Sequence, residues 1–339
     1  MLHVSSYLGF TLAVAVGFVA AVVLHELHLF LSARKNQGRV AFRFWAAFKL
    51  LRVPSSVKNR NYERSHKVTS GGLLVAAILA MGLVVPLFGN PWPALGVSTA
   101  LAALFFVVNG ALVAVQESLG GRGLGPVRRR ASLDRFVQYD VPLLLAVAAA
   151  LLTWLSFASD PAEATGWVSV DAIVRFQRTH WLRVGSLQFP AFFALLNPFA
   201  ALAVFSVLAG RNRQENLDPK DHQGGYHSQL HDLYGGRLLL VNQTRDSVAF
   251  FVGIALFLDL FLGGGFSSPS SGDLAPVLYL GVAAVLGALA ALPGKEKPRP
   301  LLDRRVTTNH RTSFFLSLAA LAQAAVVWLA DLPGVMLVG

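Results

Sequence analysis

The chain has 339 residues, of which 54% are hydrophobic and 14% are charged, and its mean hydropathy is +0.55. Soluble domains carry about 25% charged residues, so this composition excludes an ordinary soluble domain and indicates a polytopic membrane protein. The absence of cysteine excludes disulfides, thiolate zinc sites and Cys-ligated iron–sulfur clusters within the chain. The net charge of +11 could indicate nucleic-acid binding, but no nucleic-acid module interrupts the apolar runs. We therefore attribute the charge to basic loops beside a membrane.

Eight apolar runs reach or approach the roughly 20 residues that a helix needs to cross the hydrocarbon core. They cover residues 7–31, 72–90, 95–117, 137–158, 187–209, 247–266, 274–293 and 312–332. The predicted fold class is therefore all-α: a polytopic membrane protein with eight transmembrane helices in a single membrane domain, 1–339. The first run lacks a basic leading segment and is too long for a signal peptide, so we expect it to remain as a span.

Basic residues are concentrated in alternate connections between these runs. Residues 32–71 contain ten Lys and Arg residues against Glu63 alone, and the connections 118–136 and 294–311 are also basic. The remaining odd-numbered connection, 210–246, is a polar insert with both basic and acidic residues. Basic loops stay on the cytoplasmic side of a membrane. We therefore expect these four loops in the cytoplasm, both termini on the outer side, and a multi-pass protein of the inner (cytoplasmic) membrane.

Two short segments have apolar residues at helical spacing and are expected to lie in the membrane interface rather than to cross it. The first covers residues 42–52, where Phe42, Trp45 and Phe48 repeat at helical spacing and Pro54 follows. The second covers residues 170–178, on the predicted outer side.

Acidic residues are rare, and five of the 18 lie in the 37-residue polar insert 210–246. They are Glu215, Asp218, Asp221, Asp232 and Asp246. Two of the acids within the apolar runs are candidates for ion sites: Asp140 opens the fourth run, and Asp259 lies inside the sixth. An ionised group inside a membrane costs several kcal/mol unless it is partnered or hydrated. Asp259 is therefore either a proton or cation site or a hydrogen-bonded contact between helices; no metal site is predicted.

Several short motifs follow one another in a specific order. The sequence reads Ala-Arg-Lys-Asn-Gln-Gly-Arg-Val at 33–40, Lys-Leu-Leu at 49–51, Gln-Tyr-Asp-Val at 138–141, Ala-Gly-Arg-Asn-Arg at 209–213, Gly-Tyr-His at 225–227 and Leu-Phe-Leu-Gly-Gly at 260–264. In this order and spacing the chain resembles the quinone-chamber membrane subunit of bacterial NADH:quinone oxidoreductase, respiratory complex I. The resemblance covers nearly the whole chain. The chain departs from the family at Gly210, where the family has a glutamate, and in an insert with fewer acids.

The resemblance implies a membrane-arm subunit of a complex I-like quinone oxidoreductase. Such a subunit anchors the soluble redox arm, shapes the quinone chamber and links it to proton translocation, a link that the missing acids would weaken. Quinone is the implied substrate, and the chain alone is expected to bind no cofactor and to have no activity. The implied partners are other membrane-arm subunits, soluble subunits that carry the Fe–S clusters and flavin, quinone and lipid, with no nucleic acid.

The resemblance also implies roles for individual residues. The residues expected around the quinone are Glu26, Arg34, Arg39, Trp45 and Lys49. The residues expected on the proton path are Asp140, Asp218, Asp221 and Asp246, to which Asp259 is added from its place in the sixth span. The residues expected to dock the redox arm are Arg211, Arg213, Tyr226 and His227.

Two alternatives stay open at this level. The chain is also compatible with the membrane subunit of a related membrane-bound hydrogenase, because Gly210 removes one acid of the quinone-linked pattern. A stand-alone transporter coupled to protons or cations is the second alternative, with Asp140 and Asp259 as its ion sites.

Overall fold

The computed structural model describes residues 4–35, 60–118, 136–157, 169–184, 187–215, 236–264, 275–291, 308–329 and 337–338. Most of these residues are helical. The long helices are α1 (Val4–Lys35), α2 (Arg60–Val84), α3 (Ser98–Ser118), α4 (Val141–Phe157), α7 (Pro198–Glu215), α8 (Gly236–Leu262), α9 (Ala275–Ala291) and α10 (Thr308–Leu329). The short elements are a 3₁₀ turn (Trp92–Ala94), a π-helical turn (Phe136–Asp140), α5 (Val170–Thr179), α6 (Phe193–Leu196) and strands β1 (Trp181–Val184), β2 (Leu187–Pro190) and β3 (Leu337–Val338).

Each of the eight predicted spans contains one of the long helices. By length and composition, three described stretches can cross a membrane: Tyr7–Leu24, Lys67–Val84 and Thr312–Leu329. Shorter apolar stretches lie in four more helices: Ser98–Leu112, Val141–Phe157, Pro198–Gly210 and Pro276–Ala290. The helical membrane character agrees with the sequence analysis, whereas the count of eight crossings and their sidedness stay predictions.

The prediction of an all-α chain is wrong between α5 and α7. Strands β1 and β2 form an antiparallel hairpin, and β3 pairs with the other edge of β1, so the sheet order is β2-β1-β3. The fifth predicted span, 187–209, therefore loses its first eleven residues to β2 and α6, and its helix begins only at Pro198. Half of the residues 181–190 are aromatic or branched apolar residues, which suit a pleated surface, and Pro190 ends the second strand.

Several helices continue into the predicted loops. Helix α1 runs to Lys35, α2 begins at Arg60, α7 runs to Glu215 and α8 begins at Gly236. Arg, Lys, Gln and Glu are good helix formers, so a hydrogen-bonded helix does not stop where the apolar run stops. Of the two predicted interfacial helices, residues 170–178 are helical in α5, and residues 42–52 lie outside the described residues.

Helix α8 is the centre of the bundle. Every residue from Ser247 to Phe261 is buried, which is expected for a helix that is apolar on all sides. It packs against α1, α2 and α9 and also contacts α5 and α7. Helices α4, α7 and α10 pack against one another as a second group. Polar groups on α8 must therefore find their partners inside the protein.

Contacts between distant residues define the two ends of the bundle. At the end that we call the hairpin end, Phe10 stacks on Trp92, and the Ser169 hydroxyl donates to the Pro93 carbonyl at 2.9 Å. At the opposite end, the loop end, the hydroxyls of Ser206 and Ser313 are 2.8 Å apart. The hairpin end carries α5 and the sheet, and the loop end carries the starts of α4 and α8.

Asn197 joins three helices and begins one of them. Its Oδ1 accepts the backbone N–H of Ala200 at 3.1 Å, so it caps α7, and Pro198 occupies the first helical position, where no N–H is required. Its Nδ2 donates to the Thr153 hydroxyl at 3.0 Å and to the Ala320 carbonyl at 3.1 Å. The residue is fully buried, so these bonds satisfy an amide that water does not reach.

We expect Asn197→Ala to lower the free energy of unfolding by about 1–3 kcal/mol, through loss of a helix cap and two interhelical hydrogen bonds. Reversible unfolding of the purified chain in detergent measures this value. The control is Ser156→Ala, because the Ser156 hydroxyl is exposed and donates only to the Leu152 carbonyl of its own helix. Equal stability of the two variants would contradict the role given to Asn197.

Candidate functional site

The first polar site lies at the loop end, where the π-helical turn places two side chains between α3 and α7. Tyr139 and Asp140 are both buried, with 4% and 5% exposure. Asp140 lies against Gly110: a Cβ on that glycine would overlap the Asp140 carboxylate and come 3.0 Å from the Phe136 ring. The carboxylate therefore occupies space that any larger residue at 110 would fill.

Gly210 makes room for the other member of this pair. A Cβ at this position would lie 2.9 Å from Cε1 of Tyr139, which is closer than real Cβ atoms approach such a ring. Gly210 is itself buried within α7. Any larger residue at 210 would therefore meet the Tyr139 ring, which would have to move.

Asn109 precedes Gly110 on α3 and is buried, with 1% exposure. Neither its Oδ1 nor its Nδ2 has a hydrogen-bond partner among the described residues. A buried amide without partners costs free energy, so such groups mark places where water or a moving side chain supplies the bond. Asn109 and Asp140 together give this end of the bundle a polar interior.

Asp246 forms an ion pair with its own neighbour. Nε and Nη2 of Arg245 donate to Oδ1 of Asp246 at 2.9 and 2.7 Å. The two side chains are 8% and 20% exposed, so little solvent screens the pair. Arg245 supplies a permanent positive charge, and the acid that we predicted on the proton path therefore has a fixed counter-ion within one residue.

The second polar site lies at the hairpin end, around the last turn of α8. Asp259 is fully buried, and its Oδ2 accepts the hydroxyl of Tyr279 from α9 at 3.2 Å. Its Oδ1 has no hydrogen-bond partner among the described residues. This carboxyl group lies 13 positions beyond Asp246 on the same helix, a separation of about 20 Å.

Helix α5 covers this site. The Gln177 amide donates to the carbonyls of Asp259 and Leu260 at 2.9 and 3.1 Å, and its Oε1 accepts the Phe193 N–H at 3.1 Å. Nε of Arg178 donates to the Gly263 carbonyl at 3.0 Å. These bonds satisfy carbonyls that the end of α8 leaves without intrahelical partners.

Arg178 brings the nearest positive charge to Asp259. Burial lowers the pKa of Arg178 below its ordinary value, and the negative charges of Asp259 and Asp171 oppose that shift. A guanidinium stays protonated in proteins, so the carboxyl group of Asp259 always faces a cation. Asp171 itself is paired with Arg175 at 2.6 Å on the exposed face of α5.

The remaining predicted site residues lie on the ends of α1 and α7 or beyond them. Glu26 is half-buried on α1, whereas only the backbone is described for Arg34 on α1 and for Arg211 and Arg213 on α7. The others lie outside the described residues: Arg39, Trp45, Lys49, Asp218, Asp221, Tyr226 and His227. The structure brings Asp140 and Asp246 to one end and places Asp259 at the other, so these three acids do not form one cluster.

Sequence reasoning did not find Tyr279, Gln177 or Arg245 as site residues. A signal was present for Tyr279, because it is the one polar side chain in the run 275–286. Gln177 lies on the buried face of α5 with Ile173 and Val174, and a polar residue on an apolar face is itself a signal of a specific partner. The pairing of Arg245 with Asp246 is adjacent in sequence but depends on burial, which no local pattern predicts.

Comparison with solved structures finds a similar fold. One chain in the structure of the membrane-bound sulfane sulfur reductase (MBS), an archaeal respiratory membrane complex, aligns with a TM-score of 0.69 and 17% identity. The alignment covers 97% of this chain and 100% of that chain. The fold is shared over the whole length. No protein-family model and no curated protein matches the sequence.

We expect Gly210→Ala to lower the free energy of unfolding by about 1–3 kcal/mol, because the added methyl group meets the Tyr139 ring. In a Tyr139→Ala background the same change should lower the free energy of unfolding by much less, because the ring is absent. Gly281→Ala is the control, because nothing lies within 4 Å of its Cβ position, and it should be neutral or slightly stabilising. An equal cost of Gly210→Ala in both backgrounds would show that the ring does not occupy this position.

Proposed function

We propose that this chain is a membrane-arm subunit of a complex I-like respiratory oxidoreductase. The observation that carries the proposal is the shared fold over the full length of a chain from an archaeal respiratory membrane complex. The ordered motifs at 33–40, 138–141, 209–213 and 260–264 support it independently, because they follow one family's order along the same chain. In this role the chain anchors a soluble redox arm, and its partners carry the Fe–S clusters and flavin.

The finer proposal is a quinone chamber at the loop end. Glu26 is half-buried on α1, at the end of the bundle where Tyr139 and Asp140 are buried. Arg34 lies further along the same helix. Arg39, Trp45 and Lys49 follow it in the sequence and complete the proposed quinone site. A polar interior beside an apolar helix surface suits a quinone, which has a polar ring and an apolar tail.

A second candidate is a membrane arm whose soluble partner reduces an acceptor other than quinone, as in a membrane-bound hydrogenase. Two observations favour it. The solved complex with the shared fold is a sulfane sulfur reductase, and the Tyr139 ring occupies the space beside Gly210 where the quinone-linked family has an acid.

Purification from native membranes separates these proposals. A tag on this chain should recover membrane partners and soluble Fe–S subunits that can be identified by mass spectrometry. If the recovered complex reduces a short-chain quinone and a photoreactive quinone labels α1, the quinone proposal holds. If the complex forms and a quinone neither reacts nor labels the chain, the second candidate holds. Recovery of the chain alone, with ion uptake into liposomes, would contradict both and support the transporter.

We propose that four acids carry protons at the loop end: Asp140, and the insert residues Asp218, Asp221 and Asp246. The Asp140 carboxylate lies against Gly110, and the preceding residue, Asn109, has a buried amide without a partner among the described residues, which supports a hydrated path there. Arg245 donates twice to Asp246, so the carboxylate is held in a fixed position in the first half of α8. Because the insert contains fewer acids than that of the resembled family, Asp246 is a larger fraction of the acids on the proposed proton path.

Asp246→Asn should lower proton translocation per turnover by at least about tenfold, which corresponds to about 1.4 kcal/mol in a barrier. The amide oxygen still accepts from Arg245, so assembly should change less than translocation. Proton uptake and subunit recovery, measured on the same membranes, check both statements. The matched control is Asp171→Asn, the same change in the exposed pair on α5. Normal translocation in Asp246→Asn would remove this residue from the path.

A further inference from the structure

A second titratable centre lies at the hairpin end, far from the acids used above. Asp259 is fully buried in the last turn of α8, and only Oδ2 has a hydrogen-bond donor among the described residues, the Tyr279 hydroxyl. Oδ1 is buried without such a partner. A structural hydrogen bond between helices would explain Oδ2 but leaves Oδ1 unexplained.

The position of Asp259 in α8 disfavours a permanent negative charge. It lies in the last turn of the helix, which ends at Leu262, and a helix C-terminus carries partial negative charge. An ionised carboxylate in the hydrocarbon region costs several kcal/mol unless it is partnered. A bound proton removes that cost, and the single hydroxyl donor of Tyr279 does not replace the water that a carboxylate loses.

Arg178 provides the partner for the ionised form. The position that a Cβ of Gly264 would take lies 2.9 Å from Nη2 of Arg178 and 3.5 Å from Oδ1 of Asp259. Gly264 has φ +70°, a conformation that favours glycine, so the gap between the two side chains stays unfilled. A small rotation of the guanidinium across this gap brings it to Oδ1.

Few other charges act on Asp259. Among the described residues, the groups facing it are Tyr279 from α9 and Arg178 from α5, and α6 contributes none. Asp171 and Arg175 lie on the exposed side of α5 and pair with each other. The described hairpin-end halves of α1, α2, α3 and α7 contain no Asp, Glu, Lys, Arg or His residue; Tyr7 on α1 is 61% exposed.

We propose that Asp259 is a proton-binding site that opens to the hairpin end, and that Arg178 couples its protonation to the attachment of α5. With the proton bound, Arg178 donates to the Gly263 carbonyl. When the proton leaves to water at the hairpin end, Arg178 pairs with Oδ1 and holds α5 more tightly against α8. Arg178 is half-buried, so its side chain reaches from the neighbourhood of the carboxyl group towards solvent at the hairpin end. The ligand is a proton, and the inference does not depend on the proposed function.

Infrared difference spectroscopy of the purified chain in lipid nanodiscs tests the site. Between acid and alkaline pH, the wild type should lose one protonated-carboxyl band that is absent from Asp259→Asn and present in the matched acid control Asp171→Asn. In Tyr279→Phe this band should persist to higher pH, because the ionised form has lost its hydrogen-bond donor. Identical carboxyl bands in the wild type and Asp259→Asn would overturn the proposal. Loss of the band on adding Na⁺ at constant pH would also overturn it, because Oδ1 would then bind a metal cation.

Amide hydrogen exchange of α5 tests the coupling. After correction for the intrinsic pH dependence of exchange, protection of residues 170–179 in the wild type should rise about tenfold as the band disappears, about 1.4 kcal/mol. Arg178→Gln should keep the titrating band and lose this rise, whereas Asp171→Asn should keep both. A rise that survives in Arg178→Gln would overturn the coupling. Since neither measurement needs partner subunits, its result is independent of the outcome for the complex.

Discussion

The burial of α8 on every side is the constraint on which the other features of the fold depend. From Ser247 to Phe261 no residue of this helix reaches the surface, so each polar group on it must be matched by the helices around it. Asp259 is matched by Tyr279 from α9, and the carbonyls at the end of α8 are matched by Gln177 and Arg178 from α5. At the other end, Arg245 and Asp246 match each other. The helix is thus apolar in its middle and polar at both ends, and different residues pair with its polar groups at each end.

The two ends differ in how their acids are held, and the difference bears on what each could do. Asp246 has an adjacent cation that donates to it twice, so its carboxylate is held where it stands. Asp259 has one hydroxyl donor, a glycine gap and a guanidinium that is engaged with a carbonyl. The first acid is thus already paired with a cation, whereas the second is paired with one only when Arg178 moves.

Much of this fold follows from the sequence because long apolar runs have few alternatives in lipid. The eight helices lie where the apolar runs predict them, and α5 was predicted from its spacing alone. The sheet was not predictable, because β3 pairs with β1 over more than 150 positions and no local pattern encodes that register. Asp259 was recognised as unusual from its surroundings in sequence. Its partners were not, since Gln177 and Arg178 come from a segment about 80 residues away. The quinone residues stay predictions, because they fall mainly in segments outside the described residues.

The contact between Gly210 and the ring of Tyr139 has a consequence for how this chain can change over time. An acid cannot enter at 210 while the ring is in place, and loss of the ring alone leaves a cavity beside Asp140. Each single step is therefore costly, whereas the two together exchange one filled arrangement for another. Substitutions at 139 and 210 are therefore expected to be non-additive, because the two residues share one space. The free energy of unfolding of a double variant would then differ from the sum of the two single effects.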